Sequence, residues 1–313
     1  MDNNLKIFKA PRFMQADKIE LFLDSICEIF TMKDKLIPNV CFDVSNVESI
    51  DILGALTIYK FMEYVSKHNC CYRPKAKWGK VVEDNLGEYG FLKLLNDYLS
   101  RKRADYDSLR FMTKNKFFVA PLALLREENY SKDKLVSNFH PQIEAYYSHI
   151  PKASAMVFQC LSEVLINFWE HATDDTKSIL VAKGSKDFVE IACADTGEGI
   201  ITTLGPTLGK GYTNTDILVK ALEKGITSKQ HTDHMGCGLW VLDELVSKAK
   251  GKLYLFSEGS YYKRTFGNKS VGICPYWKGT IVYLFLPLSS PATIADLDDY
   301  DINDLDEIKI NTL

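Results

Sequence analysis

The sequence predicts two α/β (α+β) domains in tandem, on three observations. At 313 residues the chain is longer than a typical single domain. In both halves, short apolar runs of strand length alternate with segments whose apolar residues recur every three or four positions. A polar, charged stretch at 101–113 (RKRADYDSLRFMT) breaks that pattern, placing domains at 1–105 and 106–288 and an acidic tail at 289–313.

The elements follow in chain order. Residues 38–45 (PNVCFDVS) form an apolar run suited to a buried strand. Residues 54–64 (GALTIYKFMEY) carry Leu56, Tyr59 and Met62 at helical spacing, and 90–98 (GFLKLLNDY) reads as a second, glycine-opened helix. After a connecting segment, a long helix is expected at 152–173 and strands near 178–182 and 188–194. A Gly-rich stretch at 197–211 leads to a helix at 214–224, and a second Gly-rich turn to a helix at 238–249. Strands near 252–257 and 279–287 close the domain. From Ser289 onward the chain holds seven acidic residues and one lysine, the composition of a loosely held appendage, although Ile302, Leu305, Ile308 and Ile310 would allow docking.

Composition narrows the function classes. Hydrophobic residues make up 46% and charged residues 25%, and the net charge is −3. That balance gives no positive field to collect phosphate backbones, so a nucleic-acid partner is not expected. No stretch approaches the roughly 20 apolar residues that span a bilayer, and the N-terminus lacks the layout of a secretory signal. Eight scattered cysteines, several within apolar runs, suit buried free thiols in a reducing cytosol, the expected location. The adjacent pair Cys70-Cys71 has no second pair and no nearby His cluster at zinc-ligand spacing, so a metal site is not expected there.

Three segments carry candidate chemistry. In the helix KASAMVFQCLSEVLINFWEHAT, Val157, Cys160, Leu161, Val164, Leu165, Phe168 and Trp169 form a buried stripe, while Glu163, Asn167 and His171, four apart, share another edge. A carboxylate and an amide one turn apart suit a phosphate site: the amide oxygen can ligate Mg²⁺, and the carboxylate can orient or deprotonate a water. Alone, the edge also reads as an ordinary solvated face. In VEIACADTGEGI an apolar strand runs into Asp195-Thr196-Gly197-Glu198-Gly199. An Asp at a strand end can accept from an exocyclic amine such as adenine's, and the two glycines permit positive φ and close backbone approach. Alone, it also reads as a tight turn. The third segment, Lys224-Gly225-Ile226-Thr227-Ser228-Lys229, is followed by His234-Met235-Gly236-Cys237-Gly238-Leu239 and an apolar helix. Glycines feeding a helix N-terminus present N–H groups and a positive dipole end to an anion, and Thr227, Ser228 and Lys229 add hydroxyls and a cation. Neither a Walker loop nor a dinucleotide-binding G-x-G-x-x-G after a strand is present.

In this order and spacing, E-x-x-x-N-x-x-x-H-A, D-x-G-x-G, G-x-T-S-K and G-x-G-L resemble the N, G1 and G2 boxes of the GHKL superfamily, the group of gyrase, heat-shock and mismatch-repair ATPases and of sensor and anti-sigma-factor kinases. The resemblance covers about 115–287, with Gly279-Thr280 and the last strand as its usual close. It implies a Bergerat-fold α/β sandwich, a mixed sheet covered by helices on one face, binding ATP and Mg²⁺. It implies that Glu163 polarises a water or hydroxyl, Asn167 holds Mg²⁺, and Asp195 binds the adenine amine with Gly197 and Gly199 shaping the pocket. Thr227, Ser228 and Lys229, with the backbone of Gly236, Cys237, Gly238 and Leu239, would reach the phosphates. Residues about 200–235 would form a lid over ATP. His234 stands where the second box often has a glycine, so the lid tip would differ from relatives.

The N-terminal half is similar to STAS domains, the anti-sigma-factor antagonist module, in CFDVSNVESIDILGALTIYKFMEYV and in GFLKLLN. Ile52 and Leu53 occupy the positions where that family can carry a phosphorylated Ser or Thr. The resemblance therefore implies an interaction or regulatory module, for a protein partner or a homodimer. Three activities stay open: slow ATP hydrolysis coupled to lid closure, serine phosphorylation of a partner, and ATP sensing without turnover.

Overall fold

The structure, a computed structural model, describes residues 5–31, 39–68, 75–100, 102, 117–124, 139–171, 178–228 and 236–297, the side chains of 169–171 excepted. The N-terminal half contains β1 (Leu5–Lys9), β2 (Phe13–Met14), α1 (Ile19–Ile26), α2 (Glu28–Thr31), β3 (Asn39–Asp43), β4 (Ser49–Ile50), α3 (Ile52–His68), β5 (Lys75–Lys77), α4 (Lys80–Glu88) and α5 (Phe91–Leu99). β1, β3 and β5 pair in parallel in that order, and β2 pairs with β4. The expected helix at 54–64 runs longer, at Ile52–His68. Asp51 fixes its start by accepting from the N–H groups of Gly54 (2.9 Å) and Ala16 (2.7 Å). Gly54 is required there because a Cβ would stand 2.1 Å from the Met14 carbonyl.

The second half contains β6 (Phe117–Leu124), α6 (His140–Tyr147), α7 (Pro151–His171), β7 (Ser178–Gly184), β8 (Phe188–Ala194), α8 (Ile200–Leu208), α9 (Asn214–Lys220), α10 (Gly238–Lys248), β9 (Lys252–Ser257), β10 (Ser260–Thr265), β11 (Asn268–Ile273) and β12 (Thr280–Pro287). The strands form one sheet in the order β11-β10-β9-β12-β8-β7-β6. Every pairing in it is antiparallel, which corrects the mixed sheet expected from the sequence. The helices α8 to α10 carry the chain from β8 to β9, which run in the same direction, but the last strand, β12, fills the slot between them and is antiparallel to both.

The helices of this half pack on one face of the sheet, and the N-terminal half covers the other face. Leu161, Val164 and Leu165 of α7 and Val241, Leu242 and Leu245 of α10 pack against Leu180, Cys193, Leu255 and Val282 on one side. On the other side Ile179, Val181, Ala192, Phe256 and Tyr283 share a core with α3 and the rest of the N-terminal half. The cause is legible in β7 and β8 (SILVAKG, FVEIACA), whose near-continuous apolar runs need cover on both faces. Polar groups rim this junction. Glu190 accepts from Tyr283 Oη (2.6 Å) and pairs with Lys183 (3.1 Å), which donates to Tyr89 Oη (3.1 Å), while Lys263 pairs with Glu20 and Lys252 with Asp17.

The acidic tail is not loose at its start. Ala292 and Leu297 are buried, the Ala292 N–H donates to Met156 Sδ, and Asp296 accepts from Lys152 (2.8 Å), which helps hold its carboxyl down at about 2. Residues 298–313 lie outside the described residues. Cys160 and Cys193 are free and buried, and burial pushes both thiols up; Cys70 and Cys71 are not among the described residues. No helix among the described residues is long and apolar enough to cross a membrane.

Candidate functional site

One cleft, with about 850 Å³ of empty space counting its mouth, opens between α7, the end of β8, α8 and the start of α10. Its apolar walls come from Leu204, Leu239, Leu255 and Val282, and its polar groups from Glu163, Asn167, Asp195, Thr227, Ser228 and Thr280. The three sequence segments therefore meet around a single space.

α7 supplies the first wall. Its buried stripe turns Val164 and Leu165 into the core, which leaves Glu163 and Asn167 on the edge facing the cleft. Gln159, one turn earlier, donates to Glu163 Oε1 (2.5 Å) and fixes that carboxylate. Asn167 Nδ2 donates back to the Glu163 carbonyl (2.8 Å), so the amide presents Oδ1 as its acceptor. The side chain of His171 and all of Lys229 and His234 lie outside what is described.

β8 supplies the second wall. It ends at Ala194, and the next residue, Asp195, is 1% exposed and held on three sides. Its N–H donates to the Thr280 carbonyl (3.0 Å), its carbonyl accepts from Trp277 Nε1 (2.8 Å), and its Oδ1 accepts from the Gly197 N–H (2.8 Å). Gly197 thus orients the carboxylate and is not itself part of the lining. Neither Gly197 nor Gly199 uses the positive φ that glycine permits. Gly199 is needed for close approach: a Cβ would lie 2.5 Å from Ser257 Oγ. The positive φ is found at Gly279 (+89°), where a Cβ would stand 2.3 Å from Asp195 Oδ1.

The third wall is the start of α10. Gly238 is pressed against α7, and a Cβ there would fall 2.7 Å from Asn167 Nδ2 and 2.8 Å from Glu163 Oε2. The Cys237 side chain does not cap this helix, and the positive dipole end of α10 is set at the cleft. Cys237 itself is the capping residue and stays off the lining. Gly236 (φ +68°) crosses the backbone of Ile226 so closely that a Cβ would lie 2.7 Å from it, which brings Thr227 and Ser228 beside the same helix end. In the expected lid region, α8 is anchored by Ser257 and Glu258, which accept from the N–H groups of Ile200 (2.9 Å) and Thr202 (2.8 Å).

Of the expected site residues, Glu163, Asn167, Asp195, Gly199, Thr227, Ser228, Gly236, Gly238 and Leu239 reach the cleft. Sequence reasoning missed Ser257, Glu258, Trp277 and Thr280 as parts of the site and read Gly279 only as the approach to a closing strand. The G-T pair at 279–280 was the available signal. The cleft unites a carboxylate acceptor beside apolar walls, an amide–carboxylate pair and a helix N-terminal end, which suits a ligand with a flat base at one end and an anion at the other. Compared with known proteins, the chain matches no family model, and no curated protein matches it.

Proposed function

We propose that the chain binds ATP with magnesium in this cleft and acts as a regulatory protein of the GHKL type, with slow hydrolysis coupled to closure of the segment around α8 and α9. The supporting observation is the contact of Gly238 with both Asn167 and Glu163 at the N-terminal end of α10, in the cleft that Asp195 also lines. Asp195 would accept from the adenine amine, and Leu204 and Leu239 would contact the ring. The N–H groups of α10 with Thr227 and Ser228 would receive the phosphates.

Magnesium fits on limited terms. No group of three or more His, Cys, Asp or Glu gathers to hold a metal among the described residues. A single amide oxygen, from Asn167, beside an anion site suits an ion that arrives on a triphosphate and keeps most of its waters. When bound, the ion would neutralise charge on the phosphates. Glu163, nearly buried and oriented by Gln159, would accept a proton from an attacking water as the bond from the terminal phosphorus to its bridging oxygen breaks. The N-terminal half, packed on the opposite sheet face, would be the module that docks a partner or a second copy.

Three proteins titrated with ATP, with and without Mg²⁺, test this. Asn167→Ala is expected to lose the Mg²⁺-dependent part of the affinity. Glu163→Ala is expected to keep ATP affinity within about threefold and to lower phosphate release by about 100-fold or more. Label transferred from γ-labelled ATP to a protein would favour the kinase reading. A wild type that binds ATP but releases no phosphate and transfers no label would favour sensing alone.

A further inference from the structure

The loop before β12 is gripped from both sides. Toward the cleft, Trp277 Nε1 holds the Asp195 carbonyl, Gly279 packs on Asp195 Oδ1, and the Thr280 carbonyl accepts the Asp195 N–H. Away from the cleft, Trp277 and its two chain neighbours rest on the N-terminal half. The Trp277 ring, 1% exposed, meets Phe30 of α2 edge-on at 5.2 Å. Phe30 also meets Tyr276 (6.3 Å) and Tyr64 of α3 (4.9 Å), and Lys278 lies over the Tyr64 ring (5.9 Å). Three consecutive residues, 276 to 278, are thus seated on α2 and α3, and the next two close over the acid at the end of β8.

We propose that Trp277 is a positioning residue through which the N-terminal half sets how well Asp195 recognises a purine amine, so that whatever displaces α2 changes the affinity of the cleft. This rests on the nucleotide reading given above. The argument is one of packing. Trp277 is buried between the two halves and donates its only side-chain N–H to the Asp195 carbonyl, so it cannot shift toward one without loosening the other. Both backbone polar groups of Asp195 are held by this loop, its N–H by the Thr280 carbonyl and its carbonyl by Trp277 Nε1, so a shift of the loop by a few tenths of an ångström re-aims the carboxylate. Linkage makes the effect reciprocal: a nucleotide that engages Asp195 steadies the loop and therefore the seat of α2, which offers the N-terminal half a nucleotide-dependent surface.

The test compares ATP with inosine triphosphate, which keeps the ring and phosphates but has a carbonyl in place of the amine. The full chain is used as wild type, Phe30→Ala and Trp277→Phe; the last keeps an aromatic ring and removes the N–H. Wild type is expected to prefer ATP. In both variants ATP affinity is expected to fall about five- to tenfold, the scale of one net hydrogen bond, while inosine triphosphate stays within about twofold. Thermal unfolding without nucleotide confirms that each variant is folded. Equal losses for both nucleotides, or wild-type discrimination retained in both variants, overturn the proposal. A wild type that does not distinguish the two nucleotides removes the assignment of Asp195 first, and this proposal with it.

Discussion

Gly279→Ala is expected to weaken ATP binding by about 100-fold or more and to destabilise the fold by about 2–4 kcal/mol. Two costs add at one residue. The φ of +89° lies where L side chains rarely sit, a strain of about 1–3 kcal/mol. The new Cβ would also meet Asp195 Oδ1 at 2.3 Å, the Asp195 carbonyl at 2.7 Å and the Gly197 N–H nitrogen at 2.9 Å. Two of those three atoms are backbone, so relief requires the end of β8 to move and no rotamer change suffices. The carboxylate that would meet the base is displaced by the same movement. Denaturant unfolding and ATP titration read the two effects separately. Wild-type affinity in this variant would show that Gly279 and Asp195 do not form the base pocket.

Asp243→Ala carries the second large effect, about 3–5 kcal/mol of lost stability. Asp243 on α10 is 2% exposed and accepts from Arg264 Nε (2.6 Å) and Tyr262 Oη (2.8 Å), with a second Arg264 contact to its other oxygen. Lys269 stands 3.5 Å away. Removing the carboxylate leaves the Arg264 guanidinium, itself 4% exposed, buried with Glu244 (3.9 Å) as its remaining counter-charge among the described residues. The same cluster ties α10 to β10 and so sets the helix whose first turn faces the cleft. The guanidinium chloride midpoint is expected to fall with the m-value unchanged, and ATP affinity with it. A loss below about 1 kcal/mol would show that Arg264 finds water or another partner once Asp243 is gone.

Much of the site was readable because its signals are local. The stripe Val157, Cys160, Leu161, Val164, Leu165 and Phe168 fixes the rotation of α7 and hence the direction of Glu163 and Asn167. The run into Asp195 and the glycines before α10 each announce an element end. What escaped depends on tertiary context or on atypical turns. The strands β9, β10 and β11 are joined by two-residue turns at Glu258-Gly259 and Phe266-Gly267, where all four residues have positive φ. That backbone is usual for tight hairpins, but the sequence lacks the Asn-Gly or Asp-Gly pair that signals it. β11 is also polar and exposed, with no alternation to reveal it. β6 holds Pro121 and a register shift between Val119 and Leu122, features tolerated at a sheet edge that disguise a strand in sequence. α8 contains Gly205 and Pro206 and so reads as a glycine-rich loop. The role of Trp277 could not be read locally, since its partners are 82 residues away at Asp195 and nearly 250 away at Phe30.

Calorimetric titration of the full chain with ATP and Mg²⁺, set beside Asp195→Asn, tests the central claim most directly. Asparagine can keep the oxygen that receives the Gly197 N–H, while the other carboxylate oxygen becomes an NH2 donor and the negative charge is lost. Wild type is expected to bind one ATP per chain, and the variant to bind about 10- to 150-fold more weakly, a loss of about 1.5–3 kcal/mol, with its unfolding unchanged. Wild type without heat of binding at millimolar ATP, or a variant that binds as tightly as wild type, would contradict the account.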